Sequence, residues 1–413
     1  MREPAKSRPA FGTVVVGGGP AGLTAAIALA GAGVPTALIA GRPRPPDNRT
    51  TALLAGSVTA LETLAVWQRC QAQAAPLRAM RIVDDTGRLL RAPEVRFEAA
   101  EIGLEAFGYN IENHRLIVAL AERAREIAAL EVITQDAVDI AISTDVVTIN
   151  LDDGDTVIAR RAVGADGGRS RSRKAAGIET EGWSYPQIAL TLTLRHSRAH
   201  HDISTEFHRA SGPFTLVPLP GLRSSLVFVT DPDDAAHIQA LPAAALATEI
   251  ERRAHSIVGK IELEPGRGVF PLKVERARSF GAHRIALVGE AAHVIPPIGA
   301  QGLNLGLRDA ATIAELVAAA HQVGRDPGSD ELIARYQEMR RADVTSRTLA
   351  VDLLNRSLLS DFLPLQSARG LGLTLLQHIG PLRRAAMREG VAPAAAQPRL
   401  MRGQALSIEQ SRK

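Results

Sequence analysis

Glycines 17, 19 and 22 stand between Val14-Val15-Val16 and an apolar run, Thr24 to Ala30, and this Gly-x-Gly-x-x-Gly spacing can hold a pyrophosphate. Gly17 suits a tight turn, Gly19 lets the backbone approach the anion, and Gly22 lets helix and strand pack closely. Pro20 and Ala21 complete the motif, and the N-terminus of the following helix faces the negative charge. The competing reading is a glycine-rich strand-helix turn that binds nothing. A carboxylate for the nucleotide's ribose is expected about 20 residues on, yet Ala40 stands there and cannot accept a hydroxyl proton. Asp47 comes later, in the proline-rich loop GRPRPPDNR. Arg49 can approach a diphosphate or remain an ordinary surface arginine.

Two further stretches carry chemistry. In VGADGGRSRSR, residues 163 to 173, a strand runs into a tight turn and a helix start, marked by Ser170 and Arg173. Asp166 can cap backbone N–H groups there or accept from a cofactor. In RIALVGEAAHVIPPIGAQGLNLGLRDA, residues 284 to 310, Val288 ends a strand and Gly289 opens a turn, followed by Glu290. Pro296 and Pro297 stiffen the loop, and Gly299 and Gly302 allow close backbone approach beside Gln301, Leu303 and Asn304. Unpaired N–H groups at that helix start can stabilise negative charge on a planar ligand, such as the N1 and C2 carbonyl edge of a reduced flavin. No side chain stands out for proton transfer: His293 reads as structural, and His114 and Arg115 leave the question open.

The elements that must position these residues follow from periodicity. RTTALLAGSVTALETLAVWQRC predicts a helix with Leu53, Leu54, Val58, Leu61 and Leu64 on one stripe. Arg78 to Glu98 predicts a hairpin turning at Asp85-Thr86-Gly87, and HRLIVALAERAREIAAL a second helix. Short strands then return the chain to the first sheet at Gly164. Residues 183 to 275 predict an antiparallel sheet with one helix near 243 to 257. A long helix starts near Gly302, residues 328 to 388 are helical, and the last stretch reads as a poorly ordered tail.

Composition narrows the function. The chain has 413 residues, 48 basic and 44 acidic, with a net charge of +4 and 3% aromatic residues, which gives little for nucleic acid to bind. Cys70 is the only cysteine, so a disulfide framework, a cysteine-rich zinc site and a thiolate iron-sulfur cluster are excluded, and no metal set is expected. Three glycines and Pro20 interrupt the apolar segment 11 to 40, which favours a strand, turn and helix over a targeting segment. No apolar run reaches the roughly 20 residues that span a bilayer, and the expected location is cytoplasmic. The tail leucines Leu358, Leu359, Leu363, Leu365, Leu371, Leu373, Leu375 and Leu376, with Phe362, Arg369, Arg383 and Arg384, suit either a packed helix or a membrane surface.

The three motifs, in this order, resemble the single-component FAD-dependent aromatic hydroxylases, the group that includes p-hydroxybenzoate hydroxylase. Within it, GYNIENHRLIVAL, GEAAHVIPPIGAQGLNLGLRDA and LLNRSLLSDFLPLQSARGLGLTLLQHIGPLRRAAMREG are similar to the ubiquinone-biosynthesis flavin hydroxylases. The resemblance runs from Phe11 to Val391. It implies an α/β fold: a Rossmann-like FAD-binding domain (11–77, 99–182 and 276–325), an inserted, mostly antiparallel β-sheet substrate domain (78–98 and 183–275), a C-terminal helical segment (326–390) and a flexible tail (391–413).

By the same resemblance, FAD lies with its ADP half over Gly17, Gly19, Pro20, Ala21 and Gly22, and Arg49 lies near the diphosphate. Asn113 falls where the family has arginine or glutamine near the cofactor, and Asp166 serves both FAD and pyridine nucleotide. Gly289 and Glu290 lie against the ribityl chain, while Pro296, Pro297, Gly299, Gln301, Gly302, Leu303 and Asn304 border the isoalloxazine ring. NAD(P)H or a partner donor reduces FAD, O2 adds, and a C4a-hydroperoxyflavin transfers one oxygen to the ring of a polyprenylated phenol. Peripheral association with the inner membrane or a quinone-biosynthesis complex is implied, with the oligomeric state open. There are two departures: Ala40 for the family's acid removes an acceptor and implies a weaker hold on FAD, and Glu290 for its aspartate still accepts hydrogen bonds and implies a small shift. They keep in play a weakened accessory protein of the quinone pathway, and the tail and loop similarity leaves open a hydroxylase of another small aromatic. The Trp-x-Trp-x-Ile signature of a halogenase is absent around Trp67 and Trp183.

Overall fold

A computed structural model describes residues 10–42, 49–88, 91–359, 363–391 and 397–407. The valines before the glycine turn form β1 (Thr13–Val16), buried at every position, and the turn leads into α1 (Pro20–Gly31), whose residues 22 to 30 are all buried. Next come β2 (Thr36–Ile39), β3 (Thr50–Leu54) and α2 (Ala55–Thr63). Leu53 and Leu54 therefore lie in a strand and not on the expected helical stripe. The β-branched Thr50 and Thr51 favour extension, and a neighbouring strand supplies the ladder.

The chain continues through β4 (Ala75–Pro76), β5 (Ala79–Asp84), β6 (Val95–Glu98), β7 (Gly108–Glu112) and α3 (Asn113–Arg125). The chain leaves β5 at Asp85, where the Asp85-Thr86-Gly87 reading puts the turn, but β6 starts only at Val95. Asp84 accepts from the Thr86 N–H (3.1 Å) and the Ala92 N–H (2.9 Å), so it closes a longer connection from its start. Then follow β8 (Leu130–Ile133), β9 (Ala137–Ile142), β10 (Val147–Leu151), β11 (Thr156–Ala159), β12 (Ala162–Gly164) and α4 (Arg171–Ala175).

The strand-rich middle comprises β13 (Thr180–His196), β14 (Ile203–Arg209), β15 (Gly212–Leu219) and β16 (Arg223–Thr230). Two helices follow where one is expected, α5 (Pro232–Ala240) and α6 (Ala243–Arg253). Asp231 caps the first by accepting from the Asp234 N–H, and Pro242 ends it and starts the second. β17 (Ile261–Leu263), β18 (Gly268–Ala277), β19 (Gly281–Ala282), β20 (Ile285–Leu287) and β21 (His293–Val294) precede four helices, α7 (Gln301–Gln322), α8 (Asp330–Leu359), α9 (Leu363–His378) and α10 (Gly380–Val391).

One sheet runs β19-β20-β12-β1-β2-β8, parallel except for β19. Its strands are mostly apolar because helices and other elements cover both faces. β1 lies between β2 and β12, so successive connections leave it on opposite sides, and the carboxyl end of β1 faces a crevice at a topological switch point. A nine-stranded sheet runs β21-β18-β13-β16-β15-β14-β5-β6 with β17 beside β13. It is antiparallel except where β14 meets β5. Leu190, Leu192, Leu194, Phe207, Phe214 and Phe228 of this sheet pack against Ile238, Leu246 and Ile250 of α5 and α6. β21 pairs with β18 through Glu275–Val294 and Arg276–His293, which fastens the third motif to this larger sheet.

Residues 397–407 do not behave as the expected loose tail. A 3-10 turn at Arg399–Arg402 buries Leu400 and Met401, and Leu406 is buried beyond it, against the core that α2 and α7 share. A single turn has no period from which to read it. Among the described residues no helix is long and apolar enough to cross a membrane.

Candidate functional site

The glycine turn is built by close contact. Gly17 has φ +122°, and a Cβ there would lie 2.3 Å from the Ala165 carbonyl oxygen. At Gly22 a Cβ would lie 2.0 Å from the Gly17 carbonyl oxygen, and at Gly18 it would lie 2.5 Å from that of Ala40. Gly19 instead has nothing within 4 Å of its Cβ position, so its face opens on the crevice. Gly19 is the N-cap of α1, Pro20 presets the first helical φ, and among the described residues no side chain caps the helix. Its free N–H groups are thus offered to an anion.

The second motif abuts the first because β12 pairs with β1, Gly164 opposite Val16. Asp166 accepts from the Ser172 N–H (2.9 Å), the Ser172 hydroxyl (3.2 Å) and the Ser170 hydroxyl. These bonds are the helix-start capping that the sequence allows for Asp166. Arg173 donates to the carbonyls of Gly168 (2.7 Å) and Ala291 (2.9 Å) and pairs with Glu275 at 3.3 Å. One guanidinium therefore joins the second motif, the third motif and the larger sheet.

In the third motif Gly289 has φ +60°, and a Cβ there would meet the Ala21 Cβ at 3.3 Å. Gly306 comes as close from α7, where a Cβ would lie 3.1 Å from the Gly289 Cα. The Gly289 N–H donates to Asp309 Oδ2 (3.0 Å). Asp309 is fully buried and also accepts from His293 Nε2 (2.6 Å) and Arg340 Nε (2.7 Å). Burial raises the Asp309 carboxyl, but the His293 ring and the Arg340 guanidinium overcome it and hold it down at about 2. His293 is thus sealed in a structural cluster, the reading that its sequence position favours. Arg340 also pairs with Asp343 (2.8 Å), as does Arg308 (3.0 Å), and this network locks α8 onto α7.

Pro297 and Gly299 are exposed and Pro296 is buried, and the loop ends at Ala300, left-handed at φ 54°, before α7. α7 likewise lacks a side-chain cap and an acid in its first turn. Gln301 donates from Nε2 to the Gly299 carbonyl (2.9 Å), and its Oε1 is buried without a partner. Gly302 is exposed and Leu303 half-buried against the core.

Asn304 is a clasp rather than a free ligand group. Its Oδ1 accepts from the Leu54 N–H (2.9 Å) and the Ser57 hydroxyl (2.7 Å), and its Nδ2 donates to the carbonyls of Ala52 (2.8 Å) and Ala300 (2.6 Å). All four capacities of the amide are spent, so the side chain has none left for a cofactor. Asn304→Ala is expected to lower stability by about 2 to 3 kcal/mol, because the Leu54 N–H is left without its acceptor. Urea denaturation checks this; a midpoint equal to wild type would contradict the clasp.

Arg49, Gly167 and Glu290 bring three distant stretches to one place. Arg49 Nη1 lies 3.9 Å from Glu290 Oε1, and the Gly167 Cβ position is 4.0 Å from Glu290 Oε2. The Arg49 guanidinium also lies 5.8 Å from the Phe270 ring centre, so the larger sheet reaches the same spot. This ion pair is half-exposed and stabilises little, but it marks where a ligand would touch Arg49 and the second and third motifs together. Asn113 opens α3 with its N–H on the Arg49 carbonyl (2.9 Å), while its side chain accepts from the Thr51 hydroxyl. Asp47 lies outside the described residues. Among the described residues no three of His, Cys, Asp or Glu are grouped to hold a metal.

The residues fit FAD. A Cβ at Gly17, Gly18 or Gly22 would strike neighbouring backbone, Gly19 leaves open space at the start of α1, α1 and α7 lack side-chain caps, and among the described residues Gln301 Oε1 is a buried acceptor without a donor. Sequence reasoning found the three motifs but not the part played by Asp309 and Gly306, although the third motif contains both, nor the reach of Arg173.

Comparison with known proteins agrees with this geometry. A family model described as an FAD binding domain matches residues 11–350. A ubiquinone hydroxylase of Rhodospirillum rubrum is 35% identical over 94% of this chain and 92% of its own length. The 3-demethoxyubiquinol 3-hydroxylase of Escherichia coli is 31% identical over 91% of this chain and 96% of its own. Among solved structures, p-nitrophenol 4-monooxygenase of Pseudomonas putida superposes with a TM-score of 0.77 at 20% identity, covering 93% of this chain and 98% of that one, a likeness of fold.

Proposed function

We propose a reaction for this chain, which belongs to the FAD-dependent aromatic hydroxylases and, within them, to the ubiquinone-biosynthesis hydroxylases: it adds one hydroxyl group to the ring of a polyprenylated phenol. The enzyme is a flavoprotein monooxygenase; the observation that carries the finer reading is the likeness to two ubiquinone hydroxylases over more than nine-tenths of the chain, while the meeting of Arg49, Gly167 and Glu290 supports the flavin site. In balanced form, an aromatic C–H, O2, NAD(P)H and a proton give a phenol, water and NAD(P)+. Bound FAD supplies the activation of O2.

The protein's part is to bind, orient and exclude water. The α1 N-terminus and Arg49 take the diphosphate, and Gly289 with Glu290 borders the ribityl chain. Pro296, Pro297, Gly299, Gln301, Gly302 and Leu303 border the ring system, with the α7 N-terminus offering N–H groups to negative charge there. The larger sheet, tied to the third motif through β21, forms the wall against which the phenol lies. The chain carries one Gly-x-Gly-x-x-Gly fingerprint, so NAD(P)H reaches the flavin transiently or electrons come from a partner donor. Turnover of the FAD-loaded protein with NAD(P)H and a prenylated phenol under labelled O2 should place one labelled oxygen on the ring. Product without label would overturn the reading. Ala40 is the observation that favours the rival reading, an accessory protein, and a purified chain that binds no added FAD would establish it.

A peripheral membrane location suits the substrate. Leu371 and Leu375 of α9, Ile379 and Leu382 are exposed, and so are Leu349 and Leu353 of α8 and the cations Arg384 and Arg388 of α10. By contrast Leu358 is buried, and Arg383 is held by Glu101 at 2.6 Å, so the helices dock through one face and leave another uncovered. The side chains of Phe362, Leu363, Leu365 and Arg369 lie outside those described. Leu371→Glu with Leu375→Glu is expected to cut sedimentation with anionic phospholipid vesicles several-fold. Equal sedimentation would remove this face from membrane binding.

A further inference from the structure

The acid missing at Ala40 has a replacement in space. We propose that Asp136, in the β8–β9 connection, accepts the adenosine ribose hydroxyls of FAD in its place; this rests on the FAD reading above. β8 pairs with β2 in parallel, Ile39 opposite Ile133, and the Ala40 N–H donates to the Ile133 carbonyl (2.8 Å). The chain leaving β8 therefore emerges beside the chain leaving β2.

There Gly41 adopts φ +74°, and a Cβ on it would lie 2.6 Å from Asp136 Oδ1. The Asp136 carboxylate occupies the space that a side chain at position 41 would take. The Asp136 backbone is held on both sides: its carbonyl accepts from the Asp152 N–H (3.0 Å), and its N–H donates to Asp152 Oδ1 (3.3 Å). The Arg42 guanidinium pairs with Asp152, while Asp136 has only the Arg42 backbone N–H, at 3.4 Å from Oδ1. Among the described residues nothing donates to Asp136 Oδ2 and no cation pairs with it.

A ribose diol presents two O–H donors, and a carboxylate can accept both. In this fold a dinucleotide seated at the α1 N-terminus presents its ribose to the end of β2. The two features are neighbours here, since a Cβ on Gly18 would lie 2.5 Å from the Ala40 carbonyl oxygen. The replacement is invisible to spacing rules because the acid comes from a different strand.

Titration of the flavin-free protein with FAD and with FMN, which lacks the adenosine, tests the assignment. Asp136→Ala is expected to raise the FAD dissociation constant about tenfold and leave that for FMN within about twofold. Ala40→Glu in the Asp136→Ala background is expected to restore FAD affinity, which a merely structural role for Asp136 would not allow. Should Asp136→Ala fold poorly, Asp136→Asn, which keeps the backbone bonds to Asp152, carries the same comparison. Unchanged FAD affinity, or equal losses for FAD and FMN, would overturn the proposal. A wild-type chain that binds neither flavin would overturn the FAD reading itself.

Discussion

Gly22→Val is expected to give a colourless protein whose flavin-free form binds FAD at least a hundredfold more weakly than wild type. The reason is steric and local. A Cβ at position 22 would lie 2.0 Å from the Gly17 carbonyl oxygen and 3.0 Å from the Ala165 Cβ. Neither obstacle is the movable end of a long side chain: one is backbone of the turn, and the other follows β12, whose register is fixed by β1. α1 must therefore lift away from the sheet, which withdraws the N–H groups meant for the diphosphate and opens a buried contact. Overpacking of this kind lowers stability by about 1 to 3 kcal/mol, less than a domain of this size can tolerate, so the protein should remain folded. Visible absorbance per protein and a circular-dichroism melt separate the two effects. Wild-type flavin content in Gly22→Val would mean that α1 does not carry the diphosphate.

Asp309→Ala is expected to be the most destabilising single change in the third motif, by about 3 to 5 kcal/mol, because it strands the buried Arg340 and the sealed His293 without their anion. It also removes the acceptor of the Gly289 N–H and so loosens the turn beside Ala21. The same carboxylate predicts an acid dependence. Its folded value, about 2, lies below its ordinary value of 3.8, so its contribution is fully present above about pH 4 and is lost as pH falls toward 2. That amounts to about 2 kcal/mol over this window. Urea denaturation between pH 5 and 2 should show a steeper decline for wild type than for Asp309→Asn. Parallel declines would mean that Asp309 is not held ionised by its neighbours.

What could be read from the sequence was what is decided locally. The glycine turn, Gly289 and the proline loop advertise themselves because a tight turn restricts residue types whatever surrounds it. The thread of motifs also identified the family, and the cofactor with it. Partner-dependent features stayed hidden. Leu53 and Leu54 read as helix because their strand exists only through pairing with β7. Asn304 read as a ligand residue because its four hydrogen bonds run to Leu54, Ser57, Ala52 and Ala300, three of them distant in sequence. Asp309 looked like an unremarked polar residue inside a helix, although it is the buried centre of the turn's support. Ala40 read as a loss because a strand-end rule inspects one strand, while the carboxylate nearest that place belongs to the next.

Hydroxylation of a ubiquinone precursor is tested most directly by the quinone profile of a strain lacking this gene. Mass spectrometry of extracted lipids, with any related hydroxylase also removed, should show loss of mature ubiquinone and accumulation of a precursor short of one ring oxygen. An unchanged ubiquinone level with no accumulated precursor would contradict it.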